Sequence, residues 1–309
     1  MRIKVLGSAA GGAFPQWNCG CSNCHGLRQG TLRGKARSQA QLAVSGDRKA
    51  WFLLNASPDL RTQIEATAEL QPAAGQRHSP ISGIVLSSGD LDNVLGLLLL
   101  REFQPLQIYS TAAIRKIVSQ DNSFFRLLER VPDQARWAEI RPGAVFELKN
   151  GEQSGSCGIR CRALALPGPY PAYAQAHGRT ELAAEEAVVA LVLESGGRKM
   201  VFAPALPALT NELRAELANC DLLFADGTFW SDDELRRIRG GGPTAREMGH
   251  LPVGGPGGTL AQLAGLKRPR KIFIHINNTN PLLDEDSLPH AQVREAGWEI
   301  AEDGWELQL

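Results

Sequence analysis

The spacing of apolar and polar residues in the first part of the chain predicts β-structure. Residues 3–6 form a short apolar run that is typical of a strand, and a glycine-rich turn over residues 7–12 follows it. Residues 38–44 and 50–54 are two strand-like segments on either side of a polar turn, which predicts a hairpin. The chain is therefore expected to begin with strands and turns.

The rest of the chain alternates between helical and strand patterns. Helices are predicted over residues 60–70, 94–103, 112–130 and 209–217. Strands are predicted over residues 81–86, 108–109, 145–148, 159–166, 187–194, 199–202, 222–224 and 272–274. Two β-rich halves that are each closed by helices predict an α/β fold, namely a four-layer αββα sandwich with the sheets inside.

Length, composition and charge limit the class of protein. A chain of 309 residues with 43% hydrophobic residues can bury a large core, so one α/β domain over residues 1–309 is expected, with two domains as the alternative. Basic and acidic residues number 33 each, and this balance argues against nucleic acid and anionic membranes as partners. The N-terminus lacks the apolar stretch of a signal peptide, and the longest apolar run, residues 94–100, is too short to span a bilayer. These features predict a cytoplasmic location.

Three cysteines lie within six residues of one another, at Cys19, Cys21 and Cys24. A glycine between the first two permits the tight curl that aims three thiolates at one ion, and Zn²⁺ prefers four ligands in a tetrahedron. Candidates for the fourth ligand are His25, Asn278 or a more distant histidine. Free thiols or a redox pair are the alternative, but this spacing favours a closed, structural zinc site.

The loop after the strand at residues 81–86 resembles the metal-binding loop of the metallo-β-lactamase superfamily, which has the pattern H-x-H-x-D-H. The four ligand positions of that pattern are occupied here by Ser88, Asp90, Asp92 and Asn93. Only the aspartate of the pattern, Asp92, is kept, and Asn93 stands where a histidine is often found.

Two further strand ends extend this resemblance. Asp226 resembles the bridging aspartate of the superfamily, and His275 resembles its last histidine. The resemblance implies an αββα fold of the metallo-β-lactamase type and a metal held by Asp92, Asp226 and His275, with Asp90 able to reach in. An oxygen-rich set with one imidazole suits Fe(II) or another divalent ion such as Mn(II) better than a tightly held zinc.

Five segments that span nearly the whole chain resemble the PqqB family of pyrroloquinoline quinone (PQQ) biosynthesis. They are residues 6–12, 14–19, 55–59, 247–251 and 275–281. The resemblance implies a structural zinc at the three cysteines, a homodimer, and conversion of a small peptide-derived Glu-Tyr precursor toward the quinone. Members of this family are regarded as iron-dependent hydroxylases of the tyrosine ring, and were earlier regarded as transport proteins for the cofactor.

Several other residues are candidates for substrate chemistry. His250 lies in a glycine-flanked loop, and with Asp90 it is predicted to be catalytic, as a proton carrier or substrate contact; a structural hydrogen bond is the alternative for His250. Candidates for an aromatic pocket are Trp17, Phe229 and Trp230, and candidates for binding a carboxylate are Arg246 and Arg179. Core packing and ordinary surface charge are the respective alternatives.

Three functions are compatible with these features. The first is a metal-dependent oxygenase that hydroxylates the tyrosine ring of the precursor. The second is a metal-dependent hydrolase, in which a metal-activated water attacks an ester or amide. The third is a carrier that binds PQQ or a precursor without turnover. The loss of histidines at positions 88, 90 and 93 argues against the paired zinc site of the hydrolases.

Overall fold

The structure is a computed structural model that describes residues 1–150, 156–175 and 182–309. Arg179 lies outside the described residues. The chain divides into two compact units. Unit 1 comprises Met1–Leu6, Gln41–Lys199 and Gly304–Leu309, and unit 2 comprises Gly7–Ala40 and Met200–Asp303. The single domain over residues 1–309 stays a prediction.

Strands and helices alternate along the described chain. The strands are β1 (Arg2–Gly7), β2 (Gln41–Ser45), β3 (Trp51–Leu54), β4 (Ile81–Val85), β5 (Leu106–Ser110), β6 (Ala135–Glu139), β7 (Val145–Lys149), β8 (Ser156–Leu166), β9 (Val188–Ser195), β10 (Arg198–Ala203), β11 (Leu222–Asp226), β12 (Arg270–Ile274), β13 (Trp298–Ile300) and β14 (Glu306–Gln308). The α-helices are α1 (Ser22–Gln29), α2 (Leu60–Glu65), α3 (Leu91–Val94), α4 (Ala112–Arg115), α5 (Ala172–Gln175), α6 (Asn211–Ala218), α7 (Glu234–Arg239), α8 (Thr259–Gln262) and α9 (Leu288–Glu295). Shorter 3₁₀ segments are Ala68–Leu70, Leu95–Leu100, Ser123–Glu129, Ala184–Glu186 and Pro281–Leu283, and a π-helical turn spans Lys116–Gln120.

Unit 1 contains a mixed sheet with the strand order β14-β1-β2-β3-β4-β5-β6. The strands from β3 to β6 are parallel, whereas β1 with β14 and β2 with β3 are antiparallel. A second set of strands, β7-β8-β9, is antiparallel throughout. The parallel strands β3 and β4 bring Leu54 opposite Val85, so the polar segments that follow them begin at the same edge.

Unit 2 is built on four parallel strands in the order β10-β11-β12-β13. β11 and β12 are fully apolar in their buried centres, and the ring of Phe273 stacks on Trp298 of β13 at 4.2 Å between centroids. Asp226 at the end of β11 pairs in register with Ile274 at the end of β12. This register places the residues after both strands at one edge of the sheet.

The predicted helix over residues 94–103 begins and ends three residues earlier than expected and is less regular. It consists of α3 and the 3₁₀ segment Leu95–Leu100. A Cβ atom at Gly96 would lie 2.3 Å from the backbone oxygen of Ser57, so the chain passes here against another backbone and only glycine fits. The strands β6, β13 and β14 and the helices α1, α5, α7, α8 and α9 were not predicted. Within the described ranges, no helix combines the length and the apolar composition that crossing a bilayer requires.

Candidate metal centres

The three cysteines lie together in unit 2 at the start of α1. Cys21 precedes the helix, Cys24 lies in its first turn and Cys19 lies in the bend before it. All three are free thiols whose sulfur atoms lie within 4.8 Å of one another. The structure therefore brings together the three side chains that the sequence predicts as zinc ligands.

N–H groups surround these sulfur atoms. The backbone N–H of Gln16 donates to Cys24 Sγ at 3.4 Å, and that of Cys21 donates to Cys19 Sγ at 3.5 Å. Burial raises the pKa of Cys21 to about 11. Burial also acts to raise the pKa of Cys19, but hydrogen bonds from the Cys21 N–H and from neighbouring side chains lower it below its ordinary value. Three close thiols with N–H donors that favour thiolate fit the donor set of a structural Zn²⁺ site.

Asn278 is the polar neighbour of this cluster. Its side-chain Nδ2 lies 3.3 Å from Cys24 Sγ and 3.7 Å from Cys21 Sγ. Its backbone oxygen accepts from Asn23 Nδ2 at 3.2 Å. His25 is exposed and is not part of the three-sulfur group in the described residues. Of the two candidates named for the fourth ligand, the structure thus brings Asn278 to the sulfur atoms, and its role as a ligand stays a prediction.

A second group of metal-binding side chains lies in unit 2, where Asp226, His250 and His275 have ligand atoms within 4.8 Å of one another. Asp226 ends β11, and His275 directly follows β12. His250 comes from the loop between α7 and α8. Parallel strands place polar residues together at their carboxyl ends, which explains why the first two converge.

The carboxylate of Asp226 is fully buried and fully hydrogen-bonded. Its Oδ1 accepts from the N–H and the hydroxyl of Thr228 at 2.9 and 2.5 Å, and its Oδ2 accepts from the N–H of Leu206 at 2.8 Å. Burial acts to raise the pKa of Asp226, but the charge and hydrogen bond of His250, followed by His275 and Thr228, hold it below its ordinary value. The carboxylate is therefore ionised at neutral pH.

The two imidazoles lie against each other beside this carboxylate. Their ring centroids are 5.5 Å apart with 20° between the ring planes. His250 Nδ1 lies 2.7 Å from Asp226 Oδ2. Because an ionised carboxylate only accepts hydrogen bonds, Nδ1 carries the proton in this contact and Nε2 keeps a lone pair that can bind a metal. One carboxylate and two imidazoles form a donor set that fits Fe(II) and other divalent ions.

The hydroxyl of Thr228 contacts every member of this group. Besides Asp226, its oxygen lies 2.8 Å from His275 Nδ1, 3.1 Å from His250 Nδ1 and 2.9 Å from the backbone oxygen of His275. Sequence reasoning missed Thr228 and treated His250 as a proton carrier rather than a ligand. The sequence offered two signals. Thr228 lies directly after Asp226-Gly227, and His250 lies in one of the segments that resemble the family.

The loop of unit 1 that resembles H-x-H-x-D-H is held by its own side chains. Ser88 Oγ donates to Asp90 Oδ2 at 2.7 Å, and Asn93 Nδ2 donates to Ser88 Oγ at 2.8 Å. Ser88 and Asn93 are buried, whereas Asp90 and Asp92 are half-buried. Three of the four ligand positions thus satisfy one another by hydrogen bonds. This network is called the loop network below.

The predicted set of Asp92, Asp226 and His275 is distributed over both units. Asp226 and His275 lie together in unit 2 with His250, whereas Asp92 and Asp90 belong to unit 1. The roles of all five residues as metal ligands or catalytic groups stay predictions.

The predicted aromatic and cationic candidates have different environments. Trp17 is 86% exposed, and Phe229 is buried in a T-shaped contact with His250, with 5.9 Å between the ring centroids. Trp230 and Arg246 line one cavity in unit 2.

Comparison with known proteins places these observations in a family context. A model described as "Beta-lactamase superfamily domain" matches residues 50–276. The chain is 40% identical over 310 residues to coenzyme PQQ synthesis protein B of Methylorubrum extorquens and 39% identical to that of Xanthomonas axonopodis pv. citri, with 100% of each chain covered.

Solved structures agree with these matches. The Zn²⁺-bound PqqB from Methylobacterium extorquens has a TM-score of 0.89 and 39% identity, with 100% of both chains covered. The E377D mutant of CmlA β-hydroxylase has a TM-score of 0.50 and 14% identity, covering 87% of this chain and 52% of that one, which shows a shared fold alone. The predicted metallo-β-lactamase fold, with two mixed sheets flanked by helices, is confirmed.

Proposed function

Because the chain belongs to the coenzyme PQQ synthesis protein B family of the β-lactamase superfamily, we propose that it is an iron-dependent hydroxylase of PQQ biosynthesis. Its substrate is the tyrosine ring of the small peptide-derived Glu-Tyr precursor. The fold does not choose this chemistry, since one architecture hosts unrelated reactions and occurs both in β-lactamase relatives and in a β-hydroxylase.

The donor set of Asp226, His250 and His275 is the observation that carries the proposal. Two imidazoles and one carboxylate are the ligands that non-haem Fe(II) oxygenases use, and they leave coordination positions open. An Fe(II) ion held there would supply the one-electron chemistry that activates O₂. Asp92 and Asp90 stay candidates for a further ligand and for proton transfer.

The chain's own residues would prepare this site for a cation. The hydrogen bonds from His250 and Thr228 favour the ionised form of Asp226. Its contact with His250 Nδ1 fixes the tautomer that leaves Nε2 available. The buried Phe229 packs against the His250 ring in a T-shaped contact.

We also propose that Cys19, Cys21 and Cys24 hold a structural zinc, which is supported by the sulfur cluster and by the Zn²⁺-bound relative. A closed thiolate site stabilises the fold rather than taking part in the reaction.

Anaerobic reconstitution tests the hydroxylase directly. Zinc-loaded protein is supplied with Fe(II) and ascorbate under argon, mixed with the Glu-Tyr peptide and then exposed to ¹⁸O₂. Ascorbate supplies the two electrons that reduce the second oxygen atom of O₂ to water. We expect a product that carries one labelled oxygen atom on the tyrosine ring, and no product from an Asp226→Asn variant. Absence of product with iron and peptide both bound would overturn the proposal.

The same experiment separates the alternatives. A hydrolase would incorporate oxygen from labelled water rather than from O₂, and the loop network, which occupies histidine positions of the hydrolase pattern, argues against it. A carrier of PQQ or its precursor would bind the quinone tightly without turnover, and binding would survive Asp92→Ala and Asp226→Ala.

A further inference from the structure

A cavity of about 380 Å³ lies in unit 2 on the two loops that carry Asp226 and His250. One wall is the turn of Trp230, Ser231 and Asp232, and the opposite wall includes Arg246, Pro252 and residues 254–258. Cavities from about 300 Å³ upward hold small-molecule ligands. The size therefore suits a ligand of amino-acid or dipeptide dimensions.

The glycine-rich wall is built to lie close to the indole of Trp230. Gly254 N donates to the Trp230 backbone oxygen at 2.9 Å, and a Cβ atom at Gly254 would lie 2.7 Å from the indole Cε2. A Cβ atom at Gly258 would lie 2.2 Å from the Gly254 oxygen. A larger residue at either position would displace the wall, so the shape of the cavity depends on these glycines.

Two opposite charges line this cavity without neutralising each other. Arg246 Nη2 donates to the Gly257 oxygen at 3.0 Å, and the backbone N–H of Arg246 donates to Asp232 Oδ1 at 3.0 Å. In the described part of the chain, neither the guanidinium of Arg246 nor the carboxylate of Asp232 forms a salt bridge. One of the five guanidinium N–H donors is used by Gly257, so others remain for a ligand.

The glycine wall offers further donors. Gly255 and Gly257 line the cavity, and within the described residues their N–H groups donate to no protein acceptor. Backbone N–H groups of this kind form anion-binding concavities in glycine-rich turns. A carboxylate bound by Arg246 would therefore find N–H donors in the neighbouring wall.

We propose that this cavity binds the α-carboxylate and α-ammonium groups of an aromatic amino acid or dipeptide. The carboxylate contacts Arg246, the ammonium contacts Asp232, and the aromatic ring packs on Trp230. Arginine binds carboxylates through two parallel hydrogen bonds, and aromatic rings pack favourably on indole. The choice of a tyrosine-derived ligand rests on the proposed function.

Titration calorimetry with three probes tests this site on zinc-loaded protein without iron. L-tyrosine carries both charged groups, L-tyrosinamide lacks the carboxylate and N-acetyl-L-tyrosine lacks the ammonium. We expect L-tyrosine to bind about tenfold more tightly than either analogue, because each loses one charge-assisted contact.

Matched variants assign each contact to its residue. Arg246→Gln should bind L-tyrosine and L-tyrosinamide equally well, but should still bind L-tyrosine more tightly than N-acetyl-L-tyrosine. Asp232→Asn should do the reverse, since asparagine keeps the Oδ1 acceptor for the Arg246 N–H. Arg239→Ala, an exposed arginine outside the cavity, should leave both preferences unchanged. Melting curves verify folding, and Arg246→Met, which also lacks the charge, replaces Arg246→Gln if the latter unfolds.

The outcomes distinguish this inference from the hydroxylase proposal. Three results would each overturn the proposed binding site. They are failure of L-tyrosine to bind, equal affinities for the three probes, and an Arg246→Gln variant that still prefers L-tyrosine over L-tyrosinamide. If the tyrosine ring is hydroxylated but any of these results is obtained, the hydroxylase proposal holds and the binding-site proposal does not. If the probes show the predicted order of affinity but the Glu-Tyr peptide is not hydroxylated, the binding site is supported and the hydroxylase proposal is contradicted.

Discussion

At the scale of single residues, the hydroxyl of Thr228 contacts all three members of the Asp226 group, which are Asp226, His250 and His275. Its hydroxyl lies within 3.1 Å of Asp226 Oδ1 and of both imidazole Nδ1 atoms. The side chain is buried, so water does not replace these contacts. The orientation of all three metal-binding side chains therefore depends on one hydroxyl group.

Thr228→Val removes that hydroxyl while keeping the volume of the side chain. We expect the free energy of unfolding to fall by about 1–3 kcal/mol, because the buried Asp226 carboxylate loses a donor. The affinity for Fe(II) should fall as well, which anaerobic calorimetry measures. Thr228→Ser keeps the hydroxyl and is the control; equal affinities of the valine and threonine proteins would contradict the role assigned here.

The environment of Glu234 predicts that the free energy of unfolding depends on pH. Its side chain is buried, accepts from Thr279 Oγ1 at 2.6 Å and from the Trp230 N–H at 2.7 Å, and burial raises its pKa to about 7. The folded chain therefore keeps a proton between about pH 4.5 and 7 that the unfolded chain releases. The free energy of unfolding should fall as the pH rises through this window, by on the order of 3 kcal/mol.

Urea unfolding between pH 4.5 and 8 measures this effect. Glu234→Gln should lack this component, because glutamine can accept from the Trp230 N–H, donate to Thr279 and does not titrate. Glu295→Gln, at an exposed position of α9, should follow the parent protein. A difference between the parent and Glu234→Gln that does not change with pH would contradict the prediction.

At the scale of elements, residues 275–280 connect the two groups of unit 2. His275 belongs to the Asp226 group, and Asn278 lies beside the cysteines. Asn280 Nδ2 donates to the oxygens of Gly227 and Thr228 at 2.8 and 3.2 Å. Asn23 of α1 donates to the backbone oxygens of Asn278 and Asn280. Hydrogen bonds thus run from the cysteine segment to Thr228.

Asn280→Ala removes the central link of this connection. We expect a loss of about 1–3 kcal/mol of stability from the unpaired oxygens, and weaker Fe(II) binding because the position of Thr228 relaxes. Unfolding curves and metal titrations of zinc-loaded protein provide both numbers. Asn277→Ala, which removes a side-chain bond within the same segment, should retain Fe(II) affinity. Unchanged affinity in Asn280→Ala would show that the segment does not position the site.

The sequence predicts strands better than it predicts short elements and loops. Apolar runs identified β4, β9, β11 and β12 because burial on both faces leaves a continuous signal. Asp226 and His275 were correctly placed at strand ends that meet, since parallel strands share a carboxyl edge. The position of His250 depends on the course of a long glycine-rich loop, and Thr228 acts through contacts that leave no periodic signal.

At the scale of the whole molecule, the effects of zinc should be confined to one unit. The cysteines and two residues that contact their sulfur atoms, Gln16 and Asn278, all belong to unit 2. A ligand that binds only the folded state stabilises it by about 4 kcal/mol at 1,000 times its Kd. Chelation should therefore destabilise the residues of unit 2 in particular.

Hydrogen exchange with and without a chelator measures this effect. We expect lost protection in Gly7–Ala40 and Met200–Asp303, and little change in Gln41–Lys199. Cys21→Ser should reproduce the effect without chelation. Cys220→Ser, at a buried thiol that bonds to the oxygen of Leu217, is the control. Uniform loss of protection over both units would contradict a local role.

The homodimer that the family resemblance implies also belongs to this scale and stays a prediction. Light scattering after gel filtration should give a mass of about twice 33.4 kDa. A mass of one chain at all concentrations tested would contradict it.

The loop network has a consequence for the history of the chain. A histidine restored at position 88 alone would remove the hydroxyl that joins Asp90 to Asn93. Each buried polar group left unpaired costs about 1–3 kcal/mol, so the first step back toward a superfamily metal loop is opposed before any metal is gained. The network therefore acts as an evolutionary ratchet, because a single substitution toward the histidine pattern costs stability first.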